Sequence, residues 1–126
     1  MKKILITGAF GQLGASLCEV LPNDSILATG RNIPTNEKYS CKRLDITNQK
    51  HIEKVIGDYR PDTIIHLAAM TDVDGCEKKP EIAFDINVRA TENLVNSFDG
   101  KFIYISTDYV FDGEQGPYSE DDKVNP

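Results

Sequence analysis

Lys2-Lys3-Ile4-Leu5-Ile6-Thr7-Gly8-Ala9-Phe10-Gly11-Gln12-Leu13-Gly14 is the stretch that decides the fold. Lys2 to Thr7 is a short apolar run and reads as a buried strand. It ends in three glycines spaced three apart, G-x-x-G-x-x-G, and helical spacing begins at once behind them. Glycines at positions 8 and 11 permit a tight turn and let backbone N–H groups come close to an anion, while the helix N-terminus adds partial positive charge. Gly14 lets the helix pack closely on the sheet. The spacing differs from the G-x-G-x-x-G pattern of two-domain dehydrogenases, and ordinary turn glycines would also satisfy it. Its place, directly after the first strand, favours a pyrophosphate cradle.

Working outward, Leu13, Leu17, Val20 and Leu21 mark one face of the first helix, closed by Pro22-Asn23. Ser25 to Thr29 is a second strand, ended by Gly30. Residues 31–43 form a polar loop with a short strand at its end. Thr47 or Asn48 can cap a helix whose apolar face is Ile52, Val55, Ile56 and Tyr59, with Pro61 stopping it. Thr63 to Ala69 is a continuous apolar strand, and Met70 to Lys79 a loop rich in Asp and Gly. Pro80 opens a long helix running to about Phe98, and Phe102 to Ser106 is the last strand. This alternation predicts parallel strands with helical crossovers, an α/β fold with helices on both faces. The expected architecture is a Rossmann-like, doubly wound parallel sheet, truncated after about five strands.

The 126 residues fit a single domain. A net charge of −6 argues against broad binding to nucleic acid or acidic membranes. The three cysteines, Cys18, Cys41 and Cys76, are odd in number and form no C-x-x-C pair, which disfavours a disulfide framework or a zinc site and suggests thiols in a reducing cytoplasm. No signal peptide or membrane-length apolar stretch is expected.

Four positions carry candidate chemistry. NAD-specific sites place an acid at the end of the second strand; here Gly30 is followed by Arg31 and Asn32. An arginine there can pair with a phosphate, so NADP(H) is the expected cofactor, with NAD(H) as the alternative; a solvated surface Arg is the competing account. His66 lies inside an apolar run and reads as a hydrogen-bonded core residue. Asn87 falls in the stripe of Ala83, Ala90, Leu94 and Phe98, so it either fixes neighbouring backbone or faces a polar site. Ser106-Thr107 ends the last strand with two hydroxyls, able to cap the strand or to donate to a substrate carbonyl.

The sequence resembles the N-terminal part of the dTDP-4-dehydrorhamnose reductases, within the extended short-chain dehydrogenase/reductase superfamily. The carriers are GAFGQLG at 8–14, LDITN at 44–48, PDTIIHLAAMTDVDGCE at 61–77, NVRATENL at 87–94, and ISTDYVFDG with PYSE downstream. The resemblance implies that residues 1–126 are an NAD(P)-binding domain. Gly8, Phe10, Gly11, Gln12, Leu13 and Gly14 would then cradle the pyrophosphate. Asp45 and Ile46 would border the adenine, and Leu67, Ala68 and Ala69 would line the pocket towards the ribose and nicotinamide. Asn87 would stand near the active site, Thr71 and Val73 near the nicotinamide, and Thr107 would match the catalytic Ser/Thr that polarises the C4 carbonyl of a dTDP-sugar. No metal is implied.

The family's reaction also needs a Tyr-x-x-x-Lys pair, in which the lysine tunes the tyrosine as proton donor. The chain has five tyrosines, and the residues four positions later are Arg43, Thr63, Asp108, Gly113 and Asp122. The expectation is therefore a fragment of a longer oxidoreductase that carries its cofactor site, binds cofactor weakly if at all, and does not turn over substrate. A homodimer or a self-associating fragment is expected, since a cut sheet exposes apolar surface. The alternatives are another sugar-nucleotide epimerase or dehydratase, a non-catalytic regulatory subunit like that of methionine adenosyltransferase, or a bare nucleotide-binding module.

Overall fold

A computed structural model describes residues 2–34, 39–68 and 79–105, except for the side chain of Ala83. Strand β1 (Ile4–Thr7) leads into helix α1 (Gln12–Val20). A single 3₁₀ turn, Asn23–Ser25, precedes β2 (Ile26–Gly30), and β3 is Ser40–Arg43. Helix α2 (Gln49–Tyr59) leads to β4 (Thr63–His66). Then come α3 (Pro80–Phe84), a π-helical segment Asp85–Arg89, α4 (Ala90–Asn96) and β5 (Lys101–Tyr104). The described strands make one five-stranded sheet in the order β3-β2-β1-β4-β5, and every pairing is parallel. This is the doubly wound, Rossmann-like arrangement expected from the strand–helix alternation.

Two apolar clusters sandwich the sheet, and strand residues alternate between them. Leu5, Leu27 and Ile64 join Ile52 and Val55 of α2 and Ala90 and Leu94 of α4. Ile6, Ala28 and Ile65 join Cys18 of α1 on the other side. The alternation explains why the central strands are apolar throughout: both faces are covered.

Local chemistry sets the element ends. The Asn48 side chain accepts from the His51 N–H at 3.2 Å and so caps α2. Arg60 ends that helix with φ 52°, its N–H donating to the Ile56 carbonyl at 2.8 Å. Ile52 and Val55 are buried, with Ile56 and Tyr59 packed beside them, as the helical spacing predicted. Pro80 stands in the first turn of α3.

Three expectations change. The face of α1 is turned from its predicted phase: Gly14 and Cys18 are buried, Leu17 and Leu21 pack beside them, and Leu13 and Val20 are exposed. The cause is Gly14, where a Cβ would stand 2.6 Å from Ala9 backbone, so the helix docks on its glycine rather than on Leu13. The strands are also shorter than the apolar runs, with β1 beginning at Ile4 and β4 ending at His66. Finally, the long helix is interrupted by its π segment. Ala90 and Leu94 are buried in it and Phe98 packs on the same cluster.

Candidate functional site

The strand order reverses around β1: β2 and β3 lie on one side, β4 and β5 on the other. Open α/β sheets bind ligands outside the carboxyl ends of the strands at such a reversal, and the glycine turn stands there. Gly8 follows Thr7 with φ +64°, and a Cβ on it would lie 2.7 Å from the Ala68 nitrogen and 2.8 Å from the Leu67 carbonyl carbon. Only glycine lets the turn rest on the end of β4. The Ala9 N–H donates to the Thr29 carbonyl at 3.0 Å, tying the same turn to β2. Gly8, Leu67 and Ala68 are thus brought together.

Gly11 is the N-cap of α1 and supplies no side-chain cap. The first-turn N–H groups of a helix have no intrahelical partners, and Gly11, Gln12 and Leu13 are exposed. The position of a Cβ on Gly11 is nearly open, its nearest atom being the Gly8 oxygen at 3.6 Å. The Gly11 N–H donates to the Gly8 carbonyl at 3.3 Å, which leaves the N–H groups of the first helical turn, a positive helix end and the open space beside Gly11 to fit a phosphate group.

Phe10 joins this cradle to the tip of β2, where a Cβ on Gly30 would meet its ring at 2.9 Å. A shallow groove of about 450 Å³ runs beside it, lined by Phe10, Ala15, Asn32, Ile33, Pro34 and Tyr39. Arg31 follows Gly30, is exposed, and makes no ion pair among the described residues. The Leu44 N–H donates to the Gly30 carbonyl at 2.9 Å, which places the start of 44–48 against the same tip. Asp45 accepts from the Thr47 hydroxyl at 2.6 Å and from the Thr47 N–H at 3.0 Å. The hydroxyl bond is the chief cause holding its carboxyl below the usual range. The Ile46 side chain is buried in the core, so any ligand contact it makes comes from its backbone. Ala69, Thr71, Val73 and Thr107 lie outside the described residues.

Beneath this rim runs a buried polar chain that reading the sequence did not assemble. The Thr7 hydroxyl oxygen lies 2.6 Å from His66 Nδ1 and 3.1 Å from the N–H groups of both Leu67 and Ala68. His66 Nε2 lies 2.9 Å from the Thr91 hydroxyl, which donates to the Asn87 carbonyl at 3.1 Å. Burial lowers the His66 pKa to about 4, so its ring is neutral at pH 7. Asn87, half-buried, stands in the π segment. The sequence marked His66 and Asn87 separately. Their link is Thr91, one helical turn beyond Asn87, a spacing that alone does not distinguish it from a surface threonine.

Comparison with known proteins fixes the family. The sequence profile of the RmlD substrate binding domain matches residues 1–126. The chain belongs to the RmlD family. Among its relatives, the dTDP-4-dehydrorhamnose reductase of Aggregatibacter actinomycetemcomitans is 38% identical over 100% of this chain and 42% of that protein. Methionine adenosyltransferase 2 subunit beta of Danio rerio is 38% identical over 99% of this chain and 39% of that protein. A solved RmlD-type structure, dTDP-4-dehydrorhamnose reductase (rfbD) from Bacillus anthracis in complex with NADP, superposes with a TM-score of 0.80 at 37% identity, covering 100% of this chain and 44% of that one. The chain thus spans about two fifths of the length of these RmlD relatives. No helix among the described residues is long and apolar enough to cross a membrane.

Proposed function

We propose that residues 1–126 form the NAD(P)-binding domain of an NADP(H)-dependent oxidoreductase. That enzyme reduces the C4 keto group of dTDP-4-dehydrorhamnose to give dTDP-rhamnose, a polysaccharide precursor. The observation that carries this reading is the seat of the glycine turn, with Gly8 resting on Leu67–Ala68 where the strand order reverses. NADPH, when bound, supplies the hydride. The chain's own residues bind and orient it: Gly8 to Gly14 hold the pyrophosphate, and backbone at Asp45 and Ile46 borders the adenine. Ala68, Ala69 and Asn87 line the nicotinamide end. Thr107 donates a hydrogen bond to the substrate carbonyl. Since residues 1–126 contain no Tyr-x-x-x-Lys pair, this proposal puts the proton donor outside them and makes the chain alone inactive. A cytoplasmic location and self-association belong to the same proposal; the exposed Tyr104 and Ile105 at the β5 edge support the latter.

Arg31 supports NADP(H) over NAD(H), since the tip of β2 carries a cation where an NAD site carries an acid. Titration of the chain with NADPH and NADH tests this. Arg31→Ala is expected to weaken NADPH binding about tenfold and NADH binding less than about twofold, one charge-assisted hydrogen bond being lost. An equal loss for both contradicts the assignment. The likeness to the methionine adenosyltransferase subunit supports a second reading, a non-catalytic NADP-binding regulator. NADPH oxidation by the full-length protein with dTDP-4-dehydrorhamnose separates the two: turnover supports the reductase, and binding without turnover the regulator.

A further inference from the structure

The contacts that run from Thr7 to Asn87 favour one direction of hydrogen bonding. A threonine hydroxyl has two lone pairs and one proton. The Leu67 and Ala68 N–H groups both reach the Thr7 hydroxyl oxygen, each at 3.1 Å, and Leu67 shares its N–H with the Thr7 carbonyl, also at 3.1 Å. With both N–H groups on that oxygen, its proton goes to His66 Nδ1, at 2.6 Å. Nδ1 is therefore bare, and a neutral ring carries its proton on Nε2, which donates to the Thr91 oxygen at 2.9 Å. The Thr91 proton is left for the Asn87 carbonyl, at 3.1 Å. Thr7 and His66 are each 1% exposed, so water does not compete at the bond between them; Thr91 is half-buried.

The chain joins three pieces of the proposed cofactor crevice. Thr7 is the last residue before the glycine turn. Leu67 and Ala68 form the floor on which Gly8 rests. The third piece is the π segment that carries Asn87, where the Ala90 N–H donates to the Asp85 carbonyl, five residues back rather than the usual four. π segments depart from regular helix geometry and tend to occur where function needs a displaced backbone. The Thr91 hydroxyl gives the Asn87 carbonyl a side-chain donor in that segment and hands its position on to His66.

We propose that His66, as its Nε2–H tautomer, is a positioning residue: through Thr7 and Thr91 it sets the glycine turn, the Leu67–Ala68 floor and the Asn87 segment in the spacing the dinucleotide needs. This role rests on the cofactor-binding reading above. His66 works from below the crevice and need not touch the ligand. Its requirement is specific, an acceptor towards β1 and a donor towards α4, which a core residue of equal size without those groups does not meet.

Two measurements on the whole chain test it. The first is ¹⁵N NMR of the two imidazoles, His51 and His66. It should show His66 with a bare Nδ1 and a protonated Nε2, unchanged between pH 7.5 and 5.5. The opposite tautomer, or protonation across that range, overturns the proposal without touching the cofactor reading. The second is NADPH titration of Thr91→Val and Thr91→Ser. Removing the hydroxyl at constant volume should weaken binding about tenfold, the order expected when a buried donor loses its partner. Serine should restore it to within about twofold. Equal affinities of Thr91→Val and wild type overturn the positioning role while leaving the cofactor site intact. A wild-type chain that binds no NADPH overturns both. If Thr91→Val does not fold, His66→Gln against His66→Leu makes the same comparison: glutamine offers both an acceptor and a donor, and should hold binding within about threefold where leucine does not.

Discussion

At the scale of single residues, the three glycines of one motif do three different jobs. Gly8 is fixed by its positive φ and by the Ala68 backbone 2.7 Å from a Cβ, and Gly14 by the Ala9 backbone at 2.6 Å. Gly11 has room for a methyl group. Alanine at 8 or 14 should therefore destabilise the fold by several kcal/mol through clash and backbone strain, visible as a lower urea midpoint. Alanine at 11 should cost only about 0.5–1 kcal/mol, glycine being the better N-cap, yet still weaken NADPH binding, because on the proposed reading the space it fills is the ligand's. A Gly11→Ala chain that binds NADPH as well as wild type would show that the turn is only structural. His66 gives a prediction in pH. Its pKa falls from 6.5 unfolded to about 4 folded, so the unfolded chain binds more protons between those values. Its contribution is complete above pH 6.5 and is lost as pH falls towards 4, on the order of 3 kcal/mol in all. Urea midpoints over that range should fall in wild type and fall less in His66→Gln; parallel curves would contradict the buried neutral ring.

At the scale of elements, boundaries follow from caps more than from apolar runs. Asn48 caps α2 through its side chain, and Asn48→Ala should cost about 1 kcal/mol in unfolding free energy. Arg60 occupies the left-handed region at φ 52°, where glycine is favoured. Arg60→Gly should raise stability by about 0.5–1 kcal/mol, and a loss of similar size would argue against that backbone conformation. The faces of α2 and α4 were legible from the spacing of Ile52 and Val55 and of Ala90 and Leu94, where side-chain packing decides. The face of α1 was not legible, because docking there depends on a missing side chain at Gly14, which a count of apolar residues cannot register. The π segment was likewise invisible, since Asp85 to Arg89 is compatible with ordinary helix.

At the scale of the whole molecule, the strand order was within reach of the sequence because strand–helix alternation leaves few topologies for parallel strands. The tight turn at the sheet reversal could be read from the glycines and their place after β1. The polar chain beneath it could not, because Thr7 and His66 meet across 59 positions. On the proposed reading, the glycine turn and the Leu67–Ala68 segment just past β4 form the floor of one dinucleotide site at the rim where the sheet reverses. The most direct test is an NADPH titration of the ¹⁵N-labelled chain, following every backbone amide. The largest shifts should fall on Gly8 to Leu13, on Gly30 and Arg31, and on Leu67 and Ala68. Shifts concentrated instead at the opposite ends of the strands, around Lys3, Asp62 and Lys101, or no shifts at saturating NADPH, would contradict it.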